Sequence, residues 1–310
     1  MTKKISYTKP SITQLEVEYA NDAALNGWGD KCYEYIIDFE KNFAEYLNVD
    51  YAVATSSCTG ALHLGFAAYG FGEGDEIIMA DTNWVATVSP LIHMGIKPKF
   101  VDILDNTWCI NVDLIESEIN DKTKAIIATH LYGNLVDMDP LIKLAEKYNL
   151  KVIEDSAEAI GSVYKSKMAG SIGDFGTFSF HGTKTLTTGE GGMLVTNDPN
   201  IYERVSMLNN HGRKADQSKQ FWADEIGYKY KMSNIQAAIG CAQLSRVNEL
   251  VEKKRAILEN YREGIKDIDG VSINSDQEGC ILGGWMPNLV FDTDLNLNRE
   301  KLLKEFSLVN

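Results

Sequence analysis

The chain has 310 residues, 44% apolar and 24% charged, which suffices for one large buried core and a smaller one. Its 44 acidic and 30 basic residues give a formal charge of −14, which argues against nucleic-acid or anionic-membrane binding because both need a basic face. The five cysteines form no C-x-x-C pair, so reduced thiols and no metal site are expected. Without a signal-peptide core or a bilayer-length apolar run, the sequence predicts a cytoplasmic protein.

Short apolar runs alternate with amphipathic stretches from about residue 50 onward. The runs are bounded by polar or turn residues and predict buried strands at 51–55, 76–80, 98–103, 124–131 and 150–155. Helices are predicted between them at GALHLGFAAYG, VDLIESEIN and MDPLIKLAEKYN. Strands that alternate with helices predict an α/β fold with a mostly parallel sheet covered on both faces.

After residue 155 the pattern changes to two closely spaced strands, 175–180 and 192–197, with a turn rich in Gly and Thr between them. From 233 to 268 apolar residues recur at three- and four-residue steps, which predicts one long helix linking a large domain to a smaller one. We place the domain boundary inside this helix. Residues 1–245 then form the large domain and 246–310 the small C-terminal domain.

The C-terminal end of the chain predicts further elements of the small domain. GGWMPNLVF is typical of a strand and NREKLLKEF of a helix. The three residues at 307–309, SLV, then begin a further strand pattern just before the last residue. The small domain is therefore expected to be incomplete.

Two charged residues stand where an α/β protein binds ligands. Asp155 ends a predicted buried strand, and ligands of open α/β sheets bind beyond the carboxyl ends of the strands. A carboxylate there needs a basic side chain or a cationic ligand group beside it to offset its desolvation. Lys184 follows in the Gly/Thr-rich turn. Taken alone, the two residues also fit an ordinary Asp–Lys ion pair.

Three hydroxyl residues follow the first predicted strand and begin a predicted helix: Ser56, Ser57 and Thr59. Hydroxyls and free N–H groups at the positive end of a helix dipole form a site of phosphate size. The chain has neither a Walker loop nor a G-x-G-x-x-G motif. A plain helix N-cap remains the alternative interpretation.

Together these features match what pyridoxal phosphate requires. A lysine forms the Schiff base, a carboxylate keeps the ring nitrogen protonated so that the ring acts as an electron sink, and a helix N-terminus takes the phosphate. One cofactor thus explains all three elements of the sequence.

Six blocks in order resemble the DegT/DnrJ/EryC1/StrS nucleotide-sugar aminotransferases, most closely the perosamine-synthase-like branch: SSCTGALHL, DTNWVAT, HLYGNLVDMD, VIEDSAEAIGS, GTFSFHGTKTLTTGEGGM and IGYKYKMSNIQAAIG. The similarity runs from about residue 8 to the C-terminus. It implies a fold type I, aspartate-aminotransferase-like α/β fold with a smaller C-terminal α/β domain.

The resemblance also implies roles for individual residues around the cofactor. It makes Lys184 the Schiff-base lysine and Asp155 the partner of the pyridine nitrogen, and it places Glu158 beside the ring hydroxyl. Trp84 matches the aromatic residue that stacks on the cofactor ring, for which core packing is the alternative. Three further residues match phosphate-binding positions of the family: Cys58 and Thr59 through their N–H groups, and Ser179 through its hydroxyl. Cys58 departs from the family's glycine.

Three more residues are candidates on the substrate and subunit side. His181 is a candidate substrate contact, with packing in its turn as the alternative, and Trp28 resembles the family's N-terminal Gly-Trp turn near the sugar site. Lys229 stands where relatives carry an asparagine that reaches the partner subunit's cofactor phosphate. The resemblance therefore implies a homodimer with shared sites, while a surface lysine is the alternative.

The activity implied by the resemblance is transfer of an amino group from L-glutamate to a keto sugar of a nucleoside diphosphate. A GDP-linked 4-keto-6-deoxy hexose is favoured, within the biosynthesis of cell-surface polysaccharide such as lipopolysaccharide O-antigen. A dehydratase or lyase with the same cofactor, a non-enzymatic sugar-nucleotide-binding protein and an inactive truncated homologue are the alternatives. Lysine at position 184 favours the aminotransferase, because dehydratase relatives carry histidine there.

Overall fold

The computed structural model describes residues 8–308. Its helices are α1 (Gln14–Asn26), α2 (Glu34–Leu47), α3 (Cys58–Ala68), α4 (Val85–His93), α5 (Val112–Ile115), α6 (Met138–Tyr148), α7 (Pro199–Leu208), α8 (Asn234–Ser245), α9 (Val247–Ile265) and α10 (Arg299–Leu308). Its strands are β1 (Tyr51–Thr55), β2 (Glu76–Ala80), β3 (Lys97–Val101), β4 (Thr123–Thr129), β5 (Lys151–Asp155), β6 (Val163–Tyr164), β7 (Lys167–Met168), β8 (Phe175–Ser179), β9 (Gly192–Thr196), β10 (Val271–Ser272), β11 (Cys280–Ile281) and β12 (Val290–Phe291).

A seven-stranded sheet with the order β1-β9-β8-β5-β4-β2-β3 forms the centre of the molecule. Only β9 runs against the other six strands, since it pairs antiparallel with both β1 and β8. The predicted mostly parallel sheet is therefore confirmed. The carboxyl ends of six strands consequently meet at one edge, and that edge carries the candidate site.

Both faces of the sheet are buried because apolar residues occupy both sets of alternating positions along the strands. Val53, Ile77 and Ile127 point to a cluster formed with α3, α4 and α7. Their neighbours Ala54 and Ile78 point to the opposite face, where α2, α6, α8 and α9 pack. The strands that end at this edge are therefore packed on both faces.

The predicted elements differ from the structure mainly at their ends. The strand predicted at 98–103 ends at Val101, and the one predicted at 124–131 ends at Thr129. The helix predicted for VDLIESEIN is only the short α5 followed by a 3-10 turn, Glu116–Glu118. The chain turns there because Asn120 donates to Glu76 at 2.8 Å and accepts from Lys122, which fixes the approach to β4.

The single long helix predicted at 233–268 is wrong, because the chain forms α8 and α9 with a break at Arg246. The Arg246 guanidinium donates to Glu16 at 2.6 Å and to the carbonyl of Ser11 at 3.3 Å. The arginine thereby ties the helix pair to the N-terminal segment. Helical periodicity continues through the break because the apolar positions of both helices face the same core.

The strand predicted to begin at 307–309 is wrong for its first two positions. Ser307 and Leu308 belong to helix α10, and position 309 lies outside the described residues. The five cysteines, all within the described range, are free thiols. Across residues 8–308 no helix combines the length and the apolar character needed to cross a bilayer.

Candidate active site

The sheet register brings the predicted site residues to one edge. Asp155 is the last residue of β5 and pairs with Thr177 of β8, while Ser179 is the last residue of β8 and pairs with Gly192. Gly192 also pairs with Thr55, the last residue of β1. Residues predicted from separate parts of the sequence are therefore neighbours beyond the strand ends.

The Asp155 carboxylate is 5% exposed and is held at both oxygens. The Thr87 hydroxyl donates to Oδ2 at 2.6 Å, and the N–H of Ala157 donates to Oδ1 at 3.1 Å. Within residues 8–308, no basic side chain forms an ion pair with it. Its position in the protein thus suits a cationic group of a ligand, which would offset the cost of burying the charge.

Lys184 forms its ion pair with Glu158. The alternative of an ordinary Asp155–Lys184 ion pair is therefore wrong. Its Nζ donates to Glu158 Oε1 at 3.2 Å and lies 4.0 Å from the centroid of the Trp285 ring. The N–H of Tyr132 donates to the other Glu158 oxygen at 2.7 Å. Burial raises the pKa of Glu158, and the Lys184 ammonium opposes that shift.

The turn that carries Lys184 is fixed by its own polar groups. The N–H of Lys184 donates to the carbonyl of His181 at 2.9 Å. The Thr187 hydroxyl and the N–H of Thr188 both donate to the carbonyl of Phe180, at 3.0 and 2.9 Å. The Thr and Gly residues that mark the turn in the sequence therefore close it and direct the lysine toward Glu158.

Helix α3 begins beside these groups and presents its N–H groups to the site. Ser57 is the N-cap, and its hydroxyl accepts from the N–H of Gly60 at 3.0 Å. The N–H groups of Cys58 and Thr59 belong to the first helical turn, which leaves them available to an external acceptor. A Cβ atom at Gly192 would lie 2.4 Å from the Cys58 nitrogen, so only glycine lets β9 come this close.

The cysteine that replaces the family's glycine turns its side chain into the protein. Cys58 is 9% exposed, and its thiol lies near the Thr177 side chain. Burial raises the pKa of the thiol well above its usual value. The substitution is therefore accommodated in the interior, and the backbone of Cys58 keeps its place at the helix start.

The remaining candidates are exposed and form what we call the site rim, namely Trp28, Trp84, His181 and Lys229. Trp84 is 70% exposed at the N-cap of α4, which makes the alternative of a core aromatic wrong. His181 is also exposed, and it contacts the Thr183 hydroxyl at 3.0 Å and Glu190 at 3.6 Å. By contrast, Asp155, Glu158, Ser179 and Lys184 are at least partly buried and form the site floor.

Trp28 and Lys229 share a cavity of about 390 Å³. Trp28 is 65% exposed and its indole N–H donates to the Ala24 carbonyl at 2.8 Å. Lys229 precedes Tyr230, whose carbonyl accepts from the N–H of Ser56 at 2.5 Å. The cavity therefore lies beside the start of the phosphate-sized site, but it opens to solvent.

A buried hub behind Asp155 was missed by sequence reasoning. Glu154 and His130 are both fully buried, with 2.9 Å between Glu154 Oε2 and His130 Nε2. The carboxylate also accepts from the N–H groups of Gly170, Ile172 and Gly173. Burial opposes ionisation, yet the contacts with His130 and these N–H groups lower the pKa of Glu154. The acidic pair at the end of the fifth predicted strand was the available signal.

Thr87 and Trp285 were also missed, although each contacts a floor residue. Thr87 lies within DTNWVAT and its spacing from Trp84 is the helical i, i+3 step, which would place both at the same end of α4. Trp285 lies about a hundred positions after Lys184 in a segment predicted only as a strand. No periodicity in the sequence indicates that contact.

The sequence profile of the DegT/DnrJ/EryC1/StrS aminotransferase family matches residues 10–307. Among individual relatives, the GDP-perosamine synthase of Escherichia coli O157:H7 is 43% identical over 291 residues, which are 94% of this chain and 79% of that protein. The chain thus spans most of the length of this relative.

Two solved structures have the same fold as this chain. A Streptococcus pneumoniae protein named as a sugar aminotransferase, solved in its PLP form, has a TM-score of 0.89 at 28% identity, covering 98% of this chain and 83% of that one. A mutant of GDP-4-keto-6-deoxymannose-3-dehydratase with bound GDP-perosamine has a TM-score of 0.89 at 27% identity, covering 97% and 83%. The fold type I architecture predicted from the sequence is confirmed. Residues 10–307, which carry the sheet edge described above, place this chain in the DegT/DnrJ/EryC1/StrS aminotransferase family.

Proposed function

We propose that this aminotransferase moves an amino group from L-glutamate to a 4-keto-6-deoxy hexose linked to GDP. The cofactor of this aminotransferase is pyridoxal phosphate, and its acceptor is a keto group of a nucleotide sugar. The relative named GDP-perosamine synthase and the neighbour solved with bound GDP-perosamine support GDP and the deoxy sugar in particular. The observation that carries the proposal is a buried carboxylate, Asp155, that has no ion-pair partner within residues 8–308 and shares a sheet edge with Lys184.

The polar groups at the sheet edge are of the kinds that pyridoxal phosphate needs. Asp155 would hold the ring nitrogen, and Glu158 would lie beside the ring hydroxyl. The N–H groups of Cys58 and Thr59, with the hydroxyl of Ser179, would hold the phosphate. When bound, the cofactor supplies an electron sink for the carbon that loses a proton. Thr87 and Ala157 keep the Asp155 carboxylate oriented throughout, since each occupies one of its oxygens.

Lys184 would anchor the cofactor and then carry protons with its free amine. Glu158 accepts from its Nζ at 3.2 Å and so offers a resting place for the ammonium form between the two transfers. The free Lys184 amine can take the proton from the α-carbon of the donor amino acid and pass it to the cofactor carbon within the same half-reaction, and it would carry out the same two transfers in reverse order with the keto sugar. Lys184, held in its hydrogen-bonded turn, would thus serve both half-reactions.

The rim residues would meet the substrate and the cofactor's exposed face. Trp84 would cover the cofactor ring, which agrees with a tryptophan left 70% exposed at the start of α4. Trp28 and His181 would contact the sugar nucleotide. These contacts form only when a ligand is present, because the three side chains point toward solvent.

The proposed active form is a homodimer in the cytoplasm. Lys229 would reach the cofactor phosphate of a second copy, which makes the active form a homodimer with shared sites. The enzyme would work in the cytoplasm, where nucleotide sugars occur and thiols stay reduced, and it would contribute to the synthesis of cell-surface polysaccharide. Residues 1–245 would form the cofactor-binding domain and 246–310 the small domain that closes on it.

A dehydratase is the second candidate because one of the solved neighbours is a GDP-4-keto-6-deoxymannose-3-dehydratase. The lysine at position 184 favours the aminotransferase, since a side-chain amine there can bind the cofactor covalently and can form that bond again after the amino group has been transferred. The two candidates act on one sugar class but give different products.

The test is to incubate the purified protein with pyridoxal phosphate, L-glutamate and GDP-4-keto-6-deoxymannose and to identify products by mass spectrometry. We expect a GDP-linked 4-amino-6-deoxy sugar and 2-oxoglutarate in equal amounts, and neither with Lys184→Ala. A sugar that loses oxygen without gaining nitrogen would establish the dehydratase instead. Amination of a UDP- or dTDP-linked keto sugar in preference to the GDP sugar would correct the nucleotide.

A further inference from the structure

Trp285 contacts the proposed catalytic lysine from the C-terminal part of the chain. The Lys184 Nζ lies 4.0 Å from the centroid of its indole ring. The indole Nε1–H donates to the carbonyl of Thr183, the residue before the lysine, at 3.0 Å. One side chain thus holds both the amino group of Lys184 and the backbone of its turn.

The backbone of Trp285 is placed by contacts that do not involve the lysine. Arg255 of α9 donates to the carbonyl of Leu282 at 2.9 Å, and the N–H of Gly283 donates to the Ser162 hydroxyl at 2.9 Å. A Cβ atom at Gly283 would lie 2.4 Å from the carbonyl oxygen of Ile160, so glycine is required for this close approach. The segment before Trp285 is therefore packed directly onto the loop that follows β5.

The ring of Trp285 is also supported from its side. It stacks on Tyr132 with centroids 6.1 Å apart and planes at 11°, and Trp108 meets Tyr132 edge-on at 5.9 Å. Tyr132 has φ 56°, a left-handed conformation that bulky residues rarely adopt. The same Tyr132 donates its N–H to Glu158, so the aromatic row and the acidic partner of Lys184 form one unit.

We propose that Trp285 is a positioning residue for Lys184, which it holds against Glu158 by its ring face and by its hydrogen bond to the preceding residue. An ammonium over a shielded indole face is attracted by the negative potential of the ring. The Lys184 side chain, which contacts Trp285 and Glu158, is only 14% exposed. The inference rests on the role proposed above for Lys184 and adds the residue that orients it.

The first test uses the cofactor-free protein and no substrate, so it is independent of the sugar that the enzyme aminates. Lys184 is labelled competitively with acetic anhydride, and its rate is read by mass spectrometry relative to the other lysines. Trp285→Gln keeps a hydrogen-bond donor but lacks the ring, and we expect labelling of Lys184 to rise about tenfold. Trp285→Phe keeps a ring face, and its rate should stay within about twofold of wild type.

Trp108→Met is the matched control, because Trp108 belongs to the same aromatic row but contacts Tyr132 instead of the lysine. Its labelling rate at Lys184 should equal that of wild type. A folded Trp285→Gln protein with wild-type labelling would overturn the proposal. If Trp285→Gln does not fold, Trp285→Leu takes its place, since it removes both the ring face and the indole N–H: a rise of about tenfold supports the proposal, and a rate within about twofold of wild type overturns it.

The second test separates positioning from substrate binding. In single-turnover experiments, Trp285→Gln should slow the glutamate half-reaction and the sugar half-reaction by similar factors, with little change in the apparent affinity for either substrate. Loss of affinity for the sugar alone, with normal Lys184 labelling, would make Trp285 a substrate-binding residue and contradict the proposal. A purely structural role would lower the melting temperature and leave both rates of the folded variant intact.

Discussion

The site floor and the site rim differ in how much of their geometry the chain itself determines. On the floor, both oxygens of Asp155, both oxygens of Glu158 and the Nζ of Lys184 contact groups of the same chain. On the rim, Trp84 and Trp28 leave 70% and 65% of their surfaces to solvent. The side chains proposed to act on the cofactor are therefore already in place before a ligand binds. The side chains proposed to recognise the substrate gain most of their contacts only when the ligand is bound.

This difference follows from where each set lies in the fold. Floor residues either end strands of a sheet with both faces packed, as Asp155 and Ser179 do, or lie three to five residues beyond such an end, as Glu158 and Lys184 do, so their backbones have little freedom. Rim residues begin a helix, follow a turn or line an open cavity, and exposed large aromatics there are typical of binding surfaces. Changes on the floor should affect rates most, and changes on the rim should affect binding.

The largest effect should come from Asp155→Asn, which leaves the floor's shape but removes its charge. The amide can still meet Thr87, so the cofactor should bind. The half-reaction with glutamate should slow by several orders of magnitude, because a neutral partner no longer keeps the ring nitrogen protonated. Stopped-flow spectroscopy measures this rate. A near-native rate would mean that the floor charge is not needed.

The next effect concerns the hub behind the floor, where Glu154→Gln places an amide against three backbone N–H donors and His130. The N–H groups that face the amide nitrogen lose their acceptor, which should lower the free energy of unfolding by about 1–3 kcal/mol, measured in urea at pH 7. Glu146→Gln, on the exposed face of α6, is the matched control and should change stability little.

The hub also predicts a pH dependence. Since the folded-state pKa of Glu154 is lowered, its stabilising effect is present above the unfolded value of about 4.5 and is lost as pH falls through the folded value. The difference in the free energy of unfolding between wild type and Glu154→Gln should therefore become smaller as the pH falls below about 4.5. A gap that is constant down to pH 3 would show that ionisation of Glu154 contributes nothing.

On the rim, Lys229→Ala should weaken cofactor retention by about tenfold, as expected for loss of a charge-assisted contact with a phosphate, without unfolding the chain. Equilibrium dialysis of pyridoxal phosphate measures the effect. Lys214→Ala, another exposed lysine, is the control and should retain cofactor normally. Equal retention by both variants would make Lys229 an ordinary surface lysine.

Mixing Lys229→Ala with Lys184→Ala tests whether the rim of one chain serves the floor of another. If sites are shared, each mixed dimer keeps one intact site, and about a quarter of wild-type activity should return because about half of random dimers are mixed. If each chain serves itself, both sites of the mixed dimer are damaged. No activity beyond that of the Lys229→Ala homodimer would then count against the cross-subunit role.

An effect on stability alone should come from Glu40, which belongs to neither the floor nor the rim. It accepts from the N–H of Ala54 at 2.7 Å, and burial raises its pKa to about 7 against the opposing effects of Ala54 and Lys231. A raised folded pKa means that wild type loses stability as pH rises from about 4.5 through 7.

Glutamine can accept the same hydrogen bond without ionising, so Glu40→Gln should match wild type near pH 4.5 and exceed it by about 1–3 kcal/mol at pH 8. Thermal melts across this pH range measure the difference. A variant that is equally or less stable at pH 8 would contradict the raised pKa.

The sequence predicted the floor better than its surroundings. Asp155 and Lys184 were recognisable because a carboxylate at a strand end and a lysine in a Gly/Thr-rich turn are local patterns with few structural reasons to occur together. Helix α3 was recognisable from its hydroxyl residues. The parallel sheet followed from alternating apolar runs, whose ends were misplaced by one or two residues at 98–103 and 124–131.

Tertiary contacts explain what the sequence did not predict. The break at Arg246 depends on Glu16, more than two hundred positions away, and no local pattern indicates it. The contact between Trp285 and Lys184 likewise depends on how the C-terminal segment packs on the loop after β5. Periodicity predicts which face of an element is buried, but it does not predict which distant residue meets a functional side chain.

The most direct test of the floor as a cofactor site is to trap pyridoxal phosphate on the protein. The purified holoenzyme is reduced with borohydride and digested, and the modified peptide is identified by mass spectrometry. We expect one phosphopyridoxyl group on Lys184 and none after prior incubation with L-glutamate, which should convert the cofactor to its released amine form. Stoichiometric labelling at another lysine, such as Lys229 or Lys231, would contradict it.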